Sequence, residues 1–214
     1  MHVSAAFRDT EPPLRADFTD QGWTAVRPVV IDRDWSGGLA PAALATTARL
    51  LWTPSHLWIG FDCGYTELDI DRGPEVDTAL ERVALWDRDV CEAFVQAPNE
   101  PRPDSYKEFE VAPTGQWCDL VIRRARVDVD WRWNSGMATA AVIDTEARRF
   151  AAVMRVPFAA FGVAPRAGDR WRANLFRIGR VDGARHYLSF APTGTSTPDF
   201  HVPACFVPLE FTGA

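Results

Sequence analysis

Alternation with a period of two dominates the chain. In Leu57-Trp58-Ile59-Gly60-Phe61-Asp62-Cys63 the residues Leu57, Ile59, Phe61 and Cys63 share one face of an extended segment. Arg49-Leu50-Leu51-Trp52 precedes it, and the four-residue break Thr53-Pro54-Ser55-His56 makes the pair a hairpin. A polar loop from Tyr65 to Ala84 follows. Further strands are predicted at Val90–Val95, Tyr106–Val111 and Trp117–Ile122, the last two joined by the turn Pro113-Thr114-Gly115-Gln116. Ala138–Ile143 and Phe150–Val156 pair around Asp144-Thr145-Glu146. Strands resume at Trp171–Ile178, Arg185–Phe190 and Cys205–Phe211, with Asp182-Gly183 turning between the first two. One short helical turn stands out at Pro157–Gly162, with Pro at its start and Gly at its end. Short, evenly spaced strands with one helical turn predict an all-β chain folded as an antiparallel β-sandwich of jelly-roll type. No linker composition, internal repeat or low-complexity tract interrupts it, so residues 1–214 are expected to form a single domain.

Composition narrows the function classes. The 214 residues are 47% hydrophobic and 24% charged, which is enough apolar surface for a large core and excludes disorder. The net charge of -6 argues against nucleic acid as a partner. Charges or prolines interrupt every apolar run short of about 18 residues, so no membrane segment is expected. The opening Met1–Arg8 has no basic region followed by an apolar stretch. As the chain stands it is expected in the cytoplasm, and outside the cell if a leader is missing. Cys63, Cys91, Cys118 and Cys205 are widely spaced, which disfavours a zinc knuckle and suits free thiols in a reducing compartment.

Candidate chemistry gathers around Leu85-Trp86-Asp87-Arg88-Asp89-Val90-Cys91-Glu92. Cys91, Ala93 and Val95 form a small apolar face, so Glu92 points the other way. In the next strand Phe109 and Val111 are the apolar face, which puts Tyr106, Glu108 and Glu110 opposite. Pairing of the two strands brings Glu92, Tyr106 and Glu108 together near Trp86. Flat aromatic surface beside fixed polar groups suits a sugar ring, whose C–H groups pack on the aromatic face while its hydroxyls need partners. The same residues also fit a plainer role, with Trp86 as a lid on the core and Glu92 facing solvent. No nucleophile elbow, phosphate loop or dinucleotide fingerprint is present. Glu108 and Glu110 share a strand face at a spacing compatible with a carboxylate pair, which leaves a glycan-cleaving enzyme as an alternative. A sandwich that serves as an interaction module without sugar is another. The four histidines are scattered, and His201 reads as a packed loop residue. Trp131 and Trp133 are expected on one strand face and have no assigned role.

These residues resemble carbohydrate-binding module family 9 and the related DOMON-like sandwiches, from about Leu14 to Phe211. Trp86-x-x-Asp89-x-x-Glu92-x-Phe94 is similar to the family's Trp-x-x-Asp-x-x-Glu-x-Phe signature. Tyr106–Gly115, Val156–Gly162, Gly168–Ile178 and Pro198–Pro203 follow in family order. The resemblance implies a β-sandwich that grips a saccharide or polysaccharide, xylan among the ligands, between two tryptophans. Trp86 would be one clamp and Glu92 a hydroxyl acceptor. The second clamp departs from the pattern, because Ser189-Phe190-Ala191-Pro192-Thr193 stands where relatives show Trp-Ser-Pro-Thr. Phe190 offers the smaller stacking face there. Asn174 and Arg177 are added polar candidates, and Arg177 serves equally well as a counter-ion for Glu92 or Glu108. Some members carry structural calcium, for which Asp69-x-Asp71-x-Gly73 is a superficial candidate lacking the remaining ligands of a helix–loop–helix site.

Overall fold

The chain was analysed as a computed structural model, which describes residues 1–73 and 76–213. Among the described residues, strands account for nearly all regular structure. They are β1 (Val3–Phe7), β2 (Val29–Ile31), β3 (Thr46–Trp52), β4 (His56–Gly64), β5 (Val90–Gln96), β6 (Tyr106–Val111) and β7 (Trp117–Arg124). β8 (Asp128–Asp130), β9 (Ala138–Asp144), β10 (Arg149–Pro157), β11 (Arg170–Val181), β12 (Ala184–Ser189) and β13 (Val207–Thr212) follow. The hairpins expected from alternation all form: β3 with β4, β6 with β7, β9 with β10, and β11 with β12. Asp182 and Gly183 both take positive φ, 50° and 75°, as a tight turn between right-twisted strands requires. The turn after Pro157 is a 3-10 helix, Phe158–Phe161, closed by Gly162 at φ 68°.

The strands follow one hydrogen-bonded path, β8-β7-β6-β5-β11-β13-β1-β3-β4-β10-β9, with β12 beside β11 and β2 beside β3. This path doubles over so that two inner faces meet. Cys91, Ala93 and Val95 of β5, Phe109 and Val111 of β6, and Ala173 and Leu175 of β11 come from one half. Leu57, Ile59, Phe61 and Cys63 of β4, with Ala152, Met154 and Val156 of β10, come from the other, and all sit in one buried cluster. Each large side chain sealed there contributes about 1.5–3 kcal/mol. The result is the expected β-sandwich.

Three features depart from the sequence reading. The seam between the halves is parallel: β1 runs parallel to both β13 and β3. The short strands β1, β2 and β8 carry too few alternations to stand out. Trp131 and Trp133 do not share a strand face, because β8 ends at Asp130. Trp131 is 49% exposed, whereas Trp133 packs against the core beside Phe109, ring centroids 6.1 Å apart.

Candidate functional site

The two outer faces of the sandwich differ. On the β3–β4–β10 side, Trp23, Val26, Leu51, Trp58 and Val153 are sealed beneath the segment before β2. On the other side, residues of β5, β7, β8, β11 and β12 line an open cleft of about 760 Å³, within the range of small-ligand sites. Trp86, Glu92, Trp131, Arg185, Tyr187 and His201 are among the residues that line it.

Trp86 sits in a 3-10 turn, Leu85–Asp87, entered through Ala84 in the left-handed region at φ 66°. Arg185 of β12 donates from Nη2 to the Trp86 carbonyl and lays its guanidinium over Tyr187, 5.2 Å from the ring centre. The indole is thereby held at the cleft mouth. Trp131, in the turn after β8, meets it at 5.7 Å between centroids and 50° between planes. The two rings form a bent aromatic wall. Tyr187 and Phe200 also line the cleft, 6.1 Å apart edge to face, with Phe200 stacked on Phe176 at 4.2 Å.

Beneath this wall lies a set of buried acids. β5 and β6 pair with Glu92 opposite Glu110 and Phe94 opposite Glu108. Glu92, Glu108 and Glu110 each place a carboxylate oxygen within 4.8 Å of the others, and none is more than 2% exposed. Three negative charges cannot coexist at that depth. Burial pushes all three pKa values up, Glu108 to about 7, and mutual repulsion adds to the rise at Glu92 and Glu110. Oxygen-only ligands of this kind suit a hard cation such as calcium, and both Glu110 oxygens lack other partners. A cation held by these three residues would do the job of the shared protons. The Asp69–Gly73 loop fits that role poorly. Asp69 is paired with Arg88 at 2.9 Å and Arg180 at 2.8 Å, and Asp71 with Arg82 at 3.0 Å and Arg88 at 2.9 Å. Pro74 and Glu75 of that loop lie outside the described residues.

His201 closes one end of the cleft. Its Nδ1 is 2.6 Å from the Tyr106 hydroxyl and 3.8 Å from Glu108 Oε2, and its backbone N–H donates to Asp199 at 2.8 Å. Asp199 in turn is paired with Arg126. Burial, helped by the Arg126 charge, lowers the His201 pKa to about 4, so the ring is neutral at pH 7. Burial and Glu108 raise the Tyr106 pKa, which keeps its proton available to donate to Nδ1.

The model of carbohydrate-binding family 9 matches residues 81–211, a span that holds Trp86, the acid triad and all of β5 through β12. The chain belongs to carbohydrate-binding family 9. A family 9 module from Caldicellulosiruptor kristjanssonii, solved in complex with cellotriose, superposes with a TM-score of 0.71 at 13% identity, covering 100% of this chain and 95% of that one. A family 9 module from the same organism, in complex with glucose, gives 0.66 at 13% identity, over 100% of this chain and 97% of that one. A Bacteroides uniformis protein gives 0.76 at 17% identity, over 98% of each chain. No curated protein matches the sequence.

Within this family 9 domain, the residues singled out from sequence fall into three groups. Trp86 and Glu92 line the cleft. Tyr106 and Glu108 lie one layer deeper, buried under His201. Asn174, Arg177 and Phe190 are elsewhere. Asn174 has the outward parity, but the segment after β12 covers it. Its Nδ2 donates to the Ala191 carbonyl at 2.8 Å, and its Oδ1 accepts from Ala191 N at 3.0 Å. Arg177 points the other way, into the sandwich core, and donates to Thr46 Oγ1 at 2.8 Å. It is therefore not the counter-ion of Glu92 or Glu108; Arg185 and Arg126 face those two. Phe190 packs in the main core at 9% exposure and offers no second stacking face in the cleft. Of the cleft aromatics not assigned from sequence, Trp131, Tyr187 and Phe200, the most exposed is Trp131. It follows a three-residue edge strand, where alternation gives no direction, and its signal was an otherwise unexplained Trp in a charged segment.

Proposed function

We propose that this family 9 domain binds a small saccharide or a glycan end in the cleft, by stacking on the Trp86–Trp131 wall. The observation that carries this reading is the wall itself: two indole rings, one exposed and one half-buried, lining an open cleft beside a buried acid. Glu92, kept protonated by burial and by Glu108, would donate an O–H to a sugar hydroxyl rather than accept as a carboxylate. Neutral His201 and the Arg126–Asp199 pair supply further fixed polar groups at the rim. The neighbouring family 9 structures hold glucose and cellotriose, which favours short β-glucans as first ligands to try. A saccharide, rather than nucleic acid or a membrane, is the partner proposed. The hydrolase alternative loses support because, of the three acids, Glu92 alone lines the cleft, while Glu108 and Glu110 are buried and do not flank a substrate gap.

Titration calorimetry with glucose, cellotriose and xylotriose tests the reading. Saturable heat that disappears in Trp86→Ala is the expected result. Unaltered affinity in that variant, with the fold intact, would overturn it.

A further inference from the structure

We propose that Cys63 and Cys91 are a disulfide-forming site that ties the two sheets of the sandwich together through the core. The two residues come from opposite layers. Cys63 is an inward residue of β4, Cys91 an inward residue of β5, and neither is exposed at all. Their sulfurs are 3.6 Å apart, so a modest rotation and approach brings them to the bonded separation of about 2.05 Å.

The surroundings are unusual for the middle of an apolar core. Arg177 is the cross-strand neighbour of Cys91 on β11, points to the same inner face, and is completely buried. Its Nη1 is used by Thr46 and the Leu44 carbonyl, while Nε and Nη2 have no partner. Its guanidinium lies 5.1 Å from the Phe150 ring centre, and Gly179 leaves room for it, since a Cβ there would meet Nη2 at 3.3 Å. A cation so placed favours an anionic neighbour, and a thiolate is the reactive form of cysteine. Burial alone would push the Cys63 thiol up, yet the Cys91 S–H, Arg177 and Thr46 together hold it below the ordinary thiol value. The two sulfurs meet across the sandwich with either able to donate to the other, and the Arg177 charge lies beside them.

The co-reactant is a small dialkyl disulfide such as oxidised glutathione. The Cys63 thiolate attacks one of its sulfurs, breaking that S–S bond and releasing one glutathione thiolate. Cys91 then gives up its proton and displaces the second glutathione from the mixed disulfide. Two protein thiols are oxidised to one disulfide, glutathione disulfide is reduced, and the two protons end on the two glutathiones released. Because both sulfurs are sealed, the exchange takes place during local opening or before the layers close.

The test refolds the full chain in buffers of graded oxidised to reduced glutathione, blocks free thiols with N-ethylmaleimide, and maps the peptides by mass. The expected result is a Cys63–Cys91 linked peptide that rises with the oxidised fraction, while Cys118 and Cys205 stay blocked as single thiols. The oxidised protein should also unfold at higher urea than the reduced one, a difference absent in Cys91→Ala. Two results would overturn the proposal: all four cysteines blocked at every ratio in a refolded protein, or linkage through Cys118 or Cys205 instead.

Discussion

The two outer faces of this sandwich use the same residue types to opposite ends. On the covered face, Trp58 is fully buried and donates its indole N–H to Glu11 Oε2 at 2.8 Å. Glu11 Oε1 also accepts from Thr53 at 2.6 Å and lies 2.7 Å from His56 Nδ1. Although burial pushes the Glu11 pKa up, these partners outweigh it and leave it lowered. On the open face, Trp131 is exposed and Trp86 half-buried, and Glu92, Glu108 and Glu110 have buried oxygens without donors, so their pKa values rise. A tryptophan beside a carboxylate is therefore not in itself a ligand site. What separates the faces is whether the polar groups are already satisfied by the chain.

That contrast can be broken most forcefully at Trp58. Trp58→Ala should cost about 3–5 kcal/mol of stability in urea unfolding, with saccharide affinity per folded molecule unchanged. Trp86→Ala should do the reverse. Affinity in calorimetry should fall at least about tenfold, roughly 1.4 kcal/mol, while the urea midpoint barely moves; Trp131→Ala should act in the same sense. If Trp131→Ala binds as the parent does, the wall is one ring wide.

The acids give pH dependences of opposite sign. Between about 4.5 and about 7 the folded chain holds a proton at Glu108 that the unfolded chain releases, so stability falls as pH rises through that window. Glu110→Gln should flatten the fall, seen as a smaller difference in Tm between pH 5 and pH 7.5. Glu11 is lowered on folding, so its contribution is present above its unfolded value and is lost as pH drops. Glu11→Gln should remove part of the acid-side loss and leave the other slope alone. The smallest effect is expected from Phe190→Leu, which trims the core by about 1 kcal/mol and leaves affinity within about twofold.

Much of this was legible in the chain. Period-two alternation placed Cys91, Ala93 and Val95 inward and Glu92 outward, and it located the four hairpins. The same parity, applied strictly, separates Asn174 from Arg177: three residues apart on one strand, they must face opposite ways. Arg177 therefore belonged with Cys91 from the start, and its charge alone made it look like a surface group. Phe190 was not decidable by parity, because it follows the last residue of β12, where the next segment turns across Asn174. The pairing of Glu92 with Glu110, instead of with Tyr106, depended on the register of β5 against β6, which the long connection between them does not set. Trp131 owes its position to the end of an edge strand, a place with no period to read.

The parallel seam has a consequence for the order in which the molecule is made. β1 lies between β13 and β3, so residues 3–7 bond to residues 209–212 along one edge and to residues 50–52 along the other. During synthesis the β3 side of that slot is available early, but the β13 side does not exist until residues 209–212 have been made. Until then β1 carries an unpaired edge, and β5, β6 and β11 are not yet joined to β3 and β4 through the strand ladder. The half that carries the cleft is thus joined to the half that does not by the strands made first and last, and a fusion or tag that crowds either one would delay closure of both layers.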